Sequence, residues 1–140
     1  MRRRVIDASG LILGRMASIV AKRLLEGEWI EIVNAERAVV SGKRLVIIKR
    51  WKEFLEVGGE RRGPMHWRRP DRIVRKTIRG MLPYREGRGR RAFKRLRVHI
   101  GVPEELRNVE RETLPEAHAS RLRGPYVTVG EIAESIGWRR

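Results

Sequence analysis

The chain has 140 residues, of which 41% are hydrophobic, so it is long enough and apolar enough to bury a core as one domain. Charged residues make up 36% and the formal net charge is +16; a compact state with that surplus repels itself unless a polyanion neutralises it, and nucleic acid is the commonest one. The absence of cysteine excludes disulfides, thiolate zinc sites and cysteine nucleophiles, and no stretch offers the roughly 20 apolar residues of a membrane span.

Val5–Asp7 reads as a short strand, preceded by Arg2, Arg3 and Arg4 rather than by anything resembling a signal peptide, so a soluble cytoplasmic protein is expected. Ser9 and Gly10 turn the chain. Leu13, Met16, Ala17, Val20, Ala21 and Leu24 then form one helical face, with Gly27 as C-cap. Trp29–Val33 is strand-like. Strand, helix and strand joined by short connections make a βαβ unit, which ordinarily crosses over right-handed to give parallel strands. The fold class expected is therefore α/β.

Asn34–Val39 adds a helical turn. Ser41 is placed to cap a helix whose inward residues are Leu45, Ile48, Trp51 and Leu55, stopped by Gly58-Gly59, although Val46-Ile47-Ile48 would equally suit a strand. After a Gly- and Arg-rich loop at 58–69, Pro70 opens a helix with Ile73, Thr77, Ile78, Met81 and Leu82 on one side, ended by Pro83. A short basic helix over Arg88–Arg95 and a third strand at Leu96–Ile100, closed by Gly101, follow. Glu104-Glu105 start a turn behind Pro103. Thr113…Glu116 and Thr128…Glu131 both have capping-box spacing and predict two short helices.

The charge is concentrated. Residues 61–97 hold fifteen Lys/Arg against Asp71 and Glu86, a net of +13, whereas residues 98–140 carry a net of −1. A solvated face would mix signs; this segment does not, and its helical periodicity argues against a simple tail. On the Pro70 helix, Arg72, Arg75, Lys76 and Arg79 lie opposite the apolar side. The loop Arg61, Arg62, Gly63, Pro64, Met65, His66, Trp67, Arg68, Arg69 interleaves guanidinium groups with an indole and an imidazole, suited to phosphate neutralisation and base stacking. Trp67 would serve equally well as core packing beneath the loop. Arg85, Arg88, Arg90, Arg91, Lys94 and Arg95 form a second cluster, and Lys43 is a weaker candidate.

Catalytic signals are lacking. Gly10–Gly14 follows a strand and opens a helix, yet it has neither a dinucleotide fingerprint nor a P-loop Gly-Lys-Ser/Thr, so a tight βα turn explains it better than a nucleotide cofactor. His66, His99 and His118 are scattered, without metal-site spacing. Neither a catalytic site, a metal, a cofactor nor a small-molecule substrate is expected.

Ile6-Asp7-Ala8, Leu13-Gly14-Arg15 with Ala17-Ser18, and Ile32-Val33-Asn34-Ala35-Glu36 resemble the start of the universal L-thirteen family of large-subunit ribosomal proteins. Ser41-Gly42-Lys43, Arg69-Pro70-Asp71, Arg79-Gly80-Met81-Leu82-Pro83 and Gly89-Arg90 before Leu96-Arg97-Val98 continue the resemblance in order, over about residues 5–101. Residues 102–140 look like the archaeal rather than the bacterial branch. The resemblance implies an α/β/α sandwich around a small, mainly parallel sheet, in one domain spanning 1–140. Its α/β core would lie at 1–57 and 70–101, its basic RNA-binding segments at 58–69 and 84–95, and a short helical C-terminal extension at 102–140. It further implies a structural and assembly role in the large subunit, with ribosomal RNA and neighbouring ribosomal proteins as partners, no membrane and no catalysis. The RNA-binding residues it points to are the basic residues from Arg61 to Arg95 named above. Two alternatives stand beside it: a nucleotide-dependent or RNA-processing enzyme built on the Gly10–Gly14 turn, and an architectural DNA-binding protein.

Overall fold

The computed structural model describes residues 3–58 and 68–139. Strand β1 (Arg3–Asp7) leads through a turn into helix α1 (Leu13–Leu25) and back into β2 (Trp29–Val33). All six residues of the expected helical stripe are buried, from Leu13 to Leu24. Gly27, at φ +100°, supplies the left-handed C-terminal residue, with its N–H donating to the Leu24 carbonyl and that of Glu28 to Arg23. This double bond pattern satisfies carbonyls that a helix end would otherwise leave open.

β2 pairs in parallel with β1 on one side and with β4 (Leu96–Val98) on the other, giving the order β1-β2-β4. Because side chains alternate across a strand, Ile6, Ile30, Ile32 and Leu96 share one face. They form the main core with α1 and with α3 (Pro70–Gly80) and α4 (Gly87–Lys94). Fully burying each such aliphatic side chain stabilises the fold by about 1.5–3 kcal/mol. The opposite face is covered by Val102 and by Leu106 from the 3-10 turn Glu104–Leu106, which pack on Val5 and Val33. One helical layer is thus thick and the other is a single turn. Beside that turn, the buried Glu31 takes His99 Nε2 at 2.9 Å and Arg3 at 3.2 Å.

β2 is followed by Asn34, which is held in the left-handed region (φ 57°). Its amide donates to Asp7 Oδ1 at 3.0 Å, and the same oxygen accepts the Ser9 N–H at 2.9 Å. Burial acts to raise the Asp7 pKa, but these hydrogen bonds outweigh it and leave the carboxyl below its ordinary value. The 3-10 turn Ala35–Arg37 then leads into β3 (Val39–Ser41), which pairs antiparallel with β5 (Tyr126–Thr128).

The segment after residue 101 is woven into the fold. Glu112 exchanges backbone hydrogen bonds with Val5 and Asp7, covering the outer edge of β1. Its carboxylate takes Arg4 and Arg23. Burial pulls the Glu112 pKa upward, but bonds from these two guanidinium groups outweigh it and hold the carboxyl below its ordinary value. Helix α5 (Val129–Ser135) is capped by Thr128, whose hydroxyl accepts the Glu131 N–H, as the second capping-box spacing predicts.

Five local expectations need correction. Helix α2 (Arg44–Gly58) forms, so the strand alternative at Val46–Ile48 does not, but Ser41 is the last residue of β3 rather than its cap. Leu45 is 83% exposed, and Ile47 turns inward instead, beside Trp51, which packs inward as expected, because Val127 of β5 and Ile132 of α5 set the phase of the helix. Leu55 lies outside the residues whose side chains are described. On α3 the buried residues are Pro70, Ile73, Val74 and Ile78, whereas Met81, past the helix end at Gly80, is exposed. Thr113 does not cap a helix: the 3-10 turn begins two residues later at Pro115, and Leu114 is its N-terminal boundary. The third strand stops at Val98, since the carbonyls of His99 and Gly101 turn to meet the N–H groups of Ala35 and Asn34.

Candidate nucleic-acid interface

Helix α3 divides its residues cleanly. The spacing i, i+3, i+4, i+7 puts Arg72, Arg75, Lys76 and Arg79 on one exposed face, while Ile73, Val74 and Ile78 hold the other in the core. Pro70 occupies the first turn, where its missing N–H costs nothing, and Asp71 adds a carboxylate at the positive end of the helix dipole. Asp71 also takes Arg69 at 3.3 Å.

A groove of about 310 Å³ runs between α3 and the residues around α4, lined by Arg72, Arg75, Lys76, Arg79, Tyr84 and Phe93. Among the described residues no carboxylate lines it. The two rings meet edge to face, 5.7 Å apart at 81°. The Arg79 guanidinium sits 4.1 Å over the Tyr84 ring, and that of Arg75 sits 4.6 Å over Phe93. Four cations and two rings therefore share one concave surface, with the chemistry to hold phosphate groups.

The turn that carries Tyr84 is fixed by close backbone contact. A Cβ at Gly89 would lie 2.0 Å from the Pro83 carbonyl oxygen, so only glycine lets α4 approach this closely. Arg90 reinforces the turn by donating to the carbonyls of Tyr84 (3.2 Å) and Arg85 (3.0 Å). Arg88 pairs with Glu86 at 2.7 Å. The Arg91 guanidinium lies over Gly87, and Arg85, Arg91 and Lys94 are exposed.

Other expected site residues lie elsewhere. Arg95 points inward: its Nη2 donates to the Leu24 carbonyl at the end of α1 (2.7 Å), and its Nε is buried without a hydrogen-bond partner among the described residues. Arg68 lies beside Gly137, away from the groove. Arg61, Arg62, His66 and Trp67 are outside the described residues. Lys43 precedes α2, apart from α3. Tyr84 and Phe93 were not foreseen. Their distance of nine positions along the chain follows no helical or strand period, and only the fold of the 83–86 turn brings them together.

The Gly10–Gly14 turn is filled by the protein itself. The N–H groups of Gly10, Leu11 and Ile12 donate to the carbonyls of Arg37, Ala8 and Ala117, and the His118 ring stands directly against Gly10. A phosphate loop needs such amides pointed at its ligand. Among the described residues no group of His, Asp and Glu is placed to hold a metal ion, and no helix is long and apolar enough to cross a membrane.

The family model described as Ribosomal protein L13 matches residues 2–105. Similarity to individual proteins extends further, through the C-terminal part. A protein named Large ribosomal subunit protein uL13 from Methanopyrus kandleri is 48% identical over 138 residues, 96% of this chain and 87% of the relative. The protein of the same name from Methanosarcina barkeri is 51% identical over 135 residues, covering 95% of this chain and 96% of the relative. That from Aeropyrum pernix is 42% identical over 140 residues, covering 96% and 90%. With the α/β core and the basic face of α3 as its structural setting, the chain belongs to the Ribosomal protein L13 family, and these relatives are archaeal.

Proposed function

We propose that the chain is a structural constituent of the large ribosomal subunit in the cytoplasm, that it binds large-subunit ribosomal RNA through the basic face of α3 and α4, and that it catalyses nothing. Residues 1–140 act as one domain in this reading. The observation that carries it is the groove in which Arg72, Arg75, Lys76 and Arg79 share one concave surface with Tyr84 and Phe93, in a chain whose relatives are named as large-subunit proteins. Binding comes mainly from phosphate neutralisation and release of counterions, with recognition of RNA shape rather than base edges. The core of α1, α3 and the sheet serves as a rigid platform. Arg85, just before α4, and Arg88, Arg90, Arg91 and Lys94 on it extend the contact, and Arg61, Arg62, His66, Trp67, Arg68 and Arg69 extend it through the segment that precedes α3. Neighbouring ribosomal proteins are further partners.

The test is reconstitution. Added to archaeal large-subunit rRNA, the protein should co-sediment with the particle and protect a defined set of nucleotides from chemical probing. Duplex DNA in excess should not displace it, because A-form and B-form grooves present different surfaces. Failure to enter the particle, or displacement by DNA at equal phosphate concentration, would refute the reading.

A further inference from the structure

We infer that Tyr84 and Phe93 are positioning residues: they seat Arg79 and Arg75 for contact with two successive backbone phosphates, and they do not stack on bases. The inference rests on the RNA-binding reading above and adds the division of labour within the groove.

Aromatic rings in a basic groove are ordinarily read as stacking platforms for unpaired bases. Here a guanidinium already lies over a face of each ring, at 4.1 Å for Tyr84 and 4.6 Å for Phe93. The edge-to-face contact between the rings uses more of the same surface, and Phe93 also packs on the main core. A base stacking on the ring faces that carry these guanidinium groups would displace an arginine and so remove the phosphate ligand as it arrived.

The arrangement is well suited to presenting cations. A ring attracts a guanidinium without accepting any of its conventional hydrogen bonds, so the N–H donors remain available to phosphate oxygens. A carboxylate partner would have used those donors and cancelled the charge. Arg88, paired with Glu86, shows the difference on the same surface. Arg75 and Arg79 stand four residues apart, with a rise of about 6 Å along the helix, comparable to the separation of neighbouring phosphates along a strand. Holding both side chains in place before binding removes part of the ordering cost that flexible arginines incur.

The experiment compares two probes on full-length protein: a transcript of archaeal large-subunit rRNA, and linear inorganic polyphosphate, which has phosphates but no bases. Tyr84→Leu is expected to weaken both by the same factor, about two- to tenfold from the loss of one ordered side chain. Tyr84→Phe, which keeps the ring, should match the wild type on both. The salt dependence of binding should be unchanged in Tyr84→Leu, since no charge is lost, whereas Arg79→Gln should lower the slope by about one. Phe93→Leu should behave like Tyr84→Leu; should it fail to fold, the Tyr84 pair decides. A loss of rRNA affinity with polyphosphate affinity intact would mean that the ring stacks on a base and would overturn the inference. So would a Tyr84→Leu protein that binds both probes normally, or a Tyr84→Phe protein as weak as Tyr84→Leu. If Arg75→Gln and Arg79→Gln also bind both probes normally, the RNA-binding face itself has been misplaced.

Discussion

Gly89→Ala is the sharpest structural test of the groove. The added methyl carbon would lie 2.0 Å from the Pro83 carbonyl oxygen, 2.3 Å from its carbon and 2.9 Å from the Tyr84 nitrogen, all backbone atoms. No rotamer change can relieve such a contact, so α4 must withdraw from the 83–84 turn by more than an ångström. Alanine gains about 1 kcal/mol over glycine in helix propensity, which offsets part of the strain. Overpacking against side chains costs about 1–3 kcal/mol and more where nothing can yield. Withdrawal also weakens the Arg90 bonds to Tyr84 and Arg85, at about 0.5–1.5 kcal/mol each. The net expectation is a destabilisation of about 2 kcal/mol, or a fall in Tm of roughly 5–10 °C for a chain of this size. Thermal unfolding followed by circular dichroism measures it. Gly80→Ala is the control, since a Cβ there meets nothing within 4 Å, and its Tm should hold or rise. A Gly89→Ala protein as stable as the wild type would show that α4 does not sit where described.

Three further outcomes follow from the same reasoning. Thr128→Ala removes the N-cap bond to the Glu131 N–H and should cost about 1 kcal/mol in denaturant unfolding; an unchanged midpoint would contradict the cap. Arg95→Gln should destabilise the fold by about 1.5–3 kcal/mol through loss of the bond to Leu24, while rRNA affinity per folded molecule stays the same; weaker binding with unchanged stability would place Arg95 on the RNA instead. The lowered pKa of Glu112 stabilises the fold fully above its unfolded value near 4.5, and that contribution is lost as pH falls through the lower folded value. Tm should therefore drop on acidification below about pH 4.5, and Glu112→Gln should have a lower Tm at neutral pH and a flatter acid profile; parallel profiles for the two proteins would refute the assignment.

The βαβ unit was legible because its signals are local. The six-residue stripe of α1, Gly27 after it and the apolar run of β2 each act within a few positions, and each appears as read. The basic face of α3 was legible for the same reason. What escaped depends on distant partners. The phase of α2 is set by Val127 and Ile132, which lie 80 and 85 positions beyond Ile47, so Leu45 reads as inward when it is exposed. The β3–β5 ribbon joins Val39–Ser41 to Tyr126–Thr128, and neither piece is long enough to announce a strand alone. Arg95 looks like its neighbours in a basic run, but its contact with Leu24 comes from the crossing of α4 and α1. Tyr84 and Phe93 became part of the groove only through the turn that Gly89 permits.

We propose that the surplus charge on α3 exists to neutralise RNA phosphates. The most direct test is a salt titration of rRNA binding by the wild type and by Arg72→Gln/Arg75→Gln/Arg79→Gln. With about 6–10 phosphate contacts, wild-type affinity should fall roughly 10³–10⁵-fold between about 50 and 200 mM salt, and the triple variant should remain folded while its log–log slope shrinks by about two to three. A wild-type affinity indifferent to salt, or a folded triple variant with the wild-type slope and affinity, would contradict the claim.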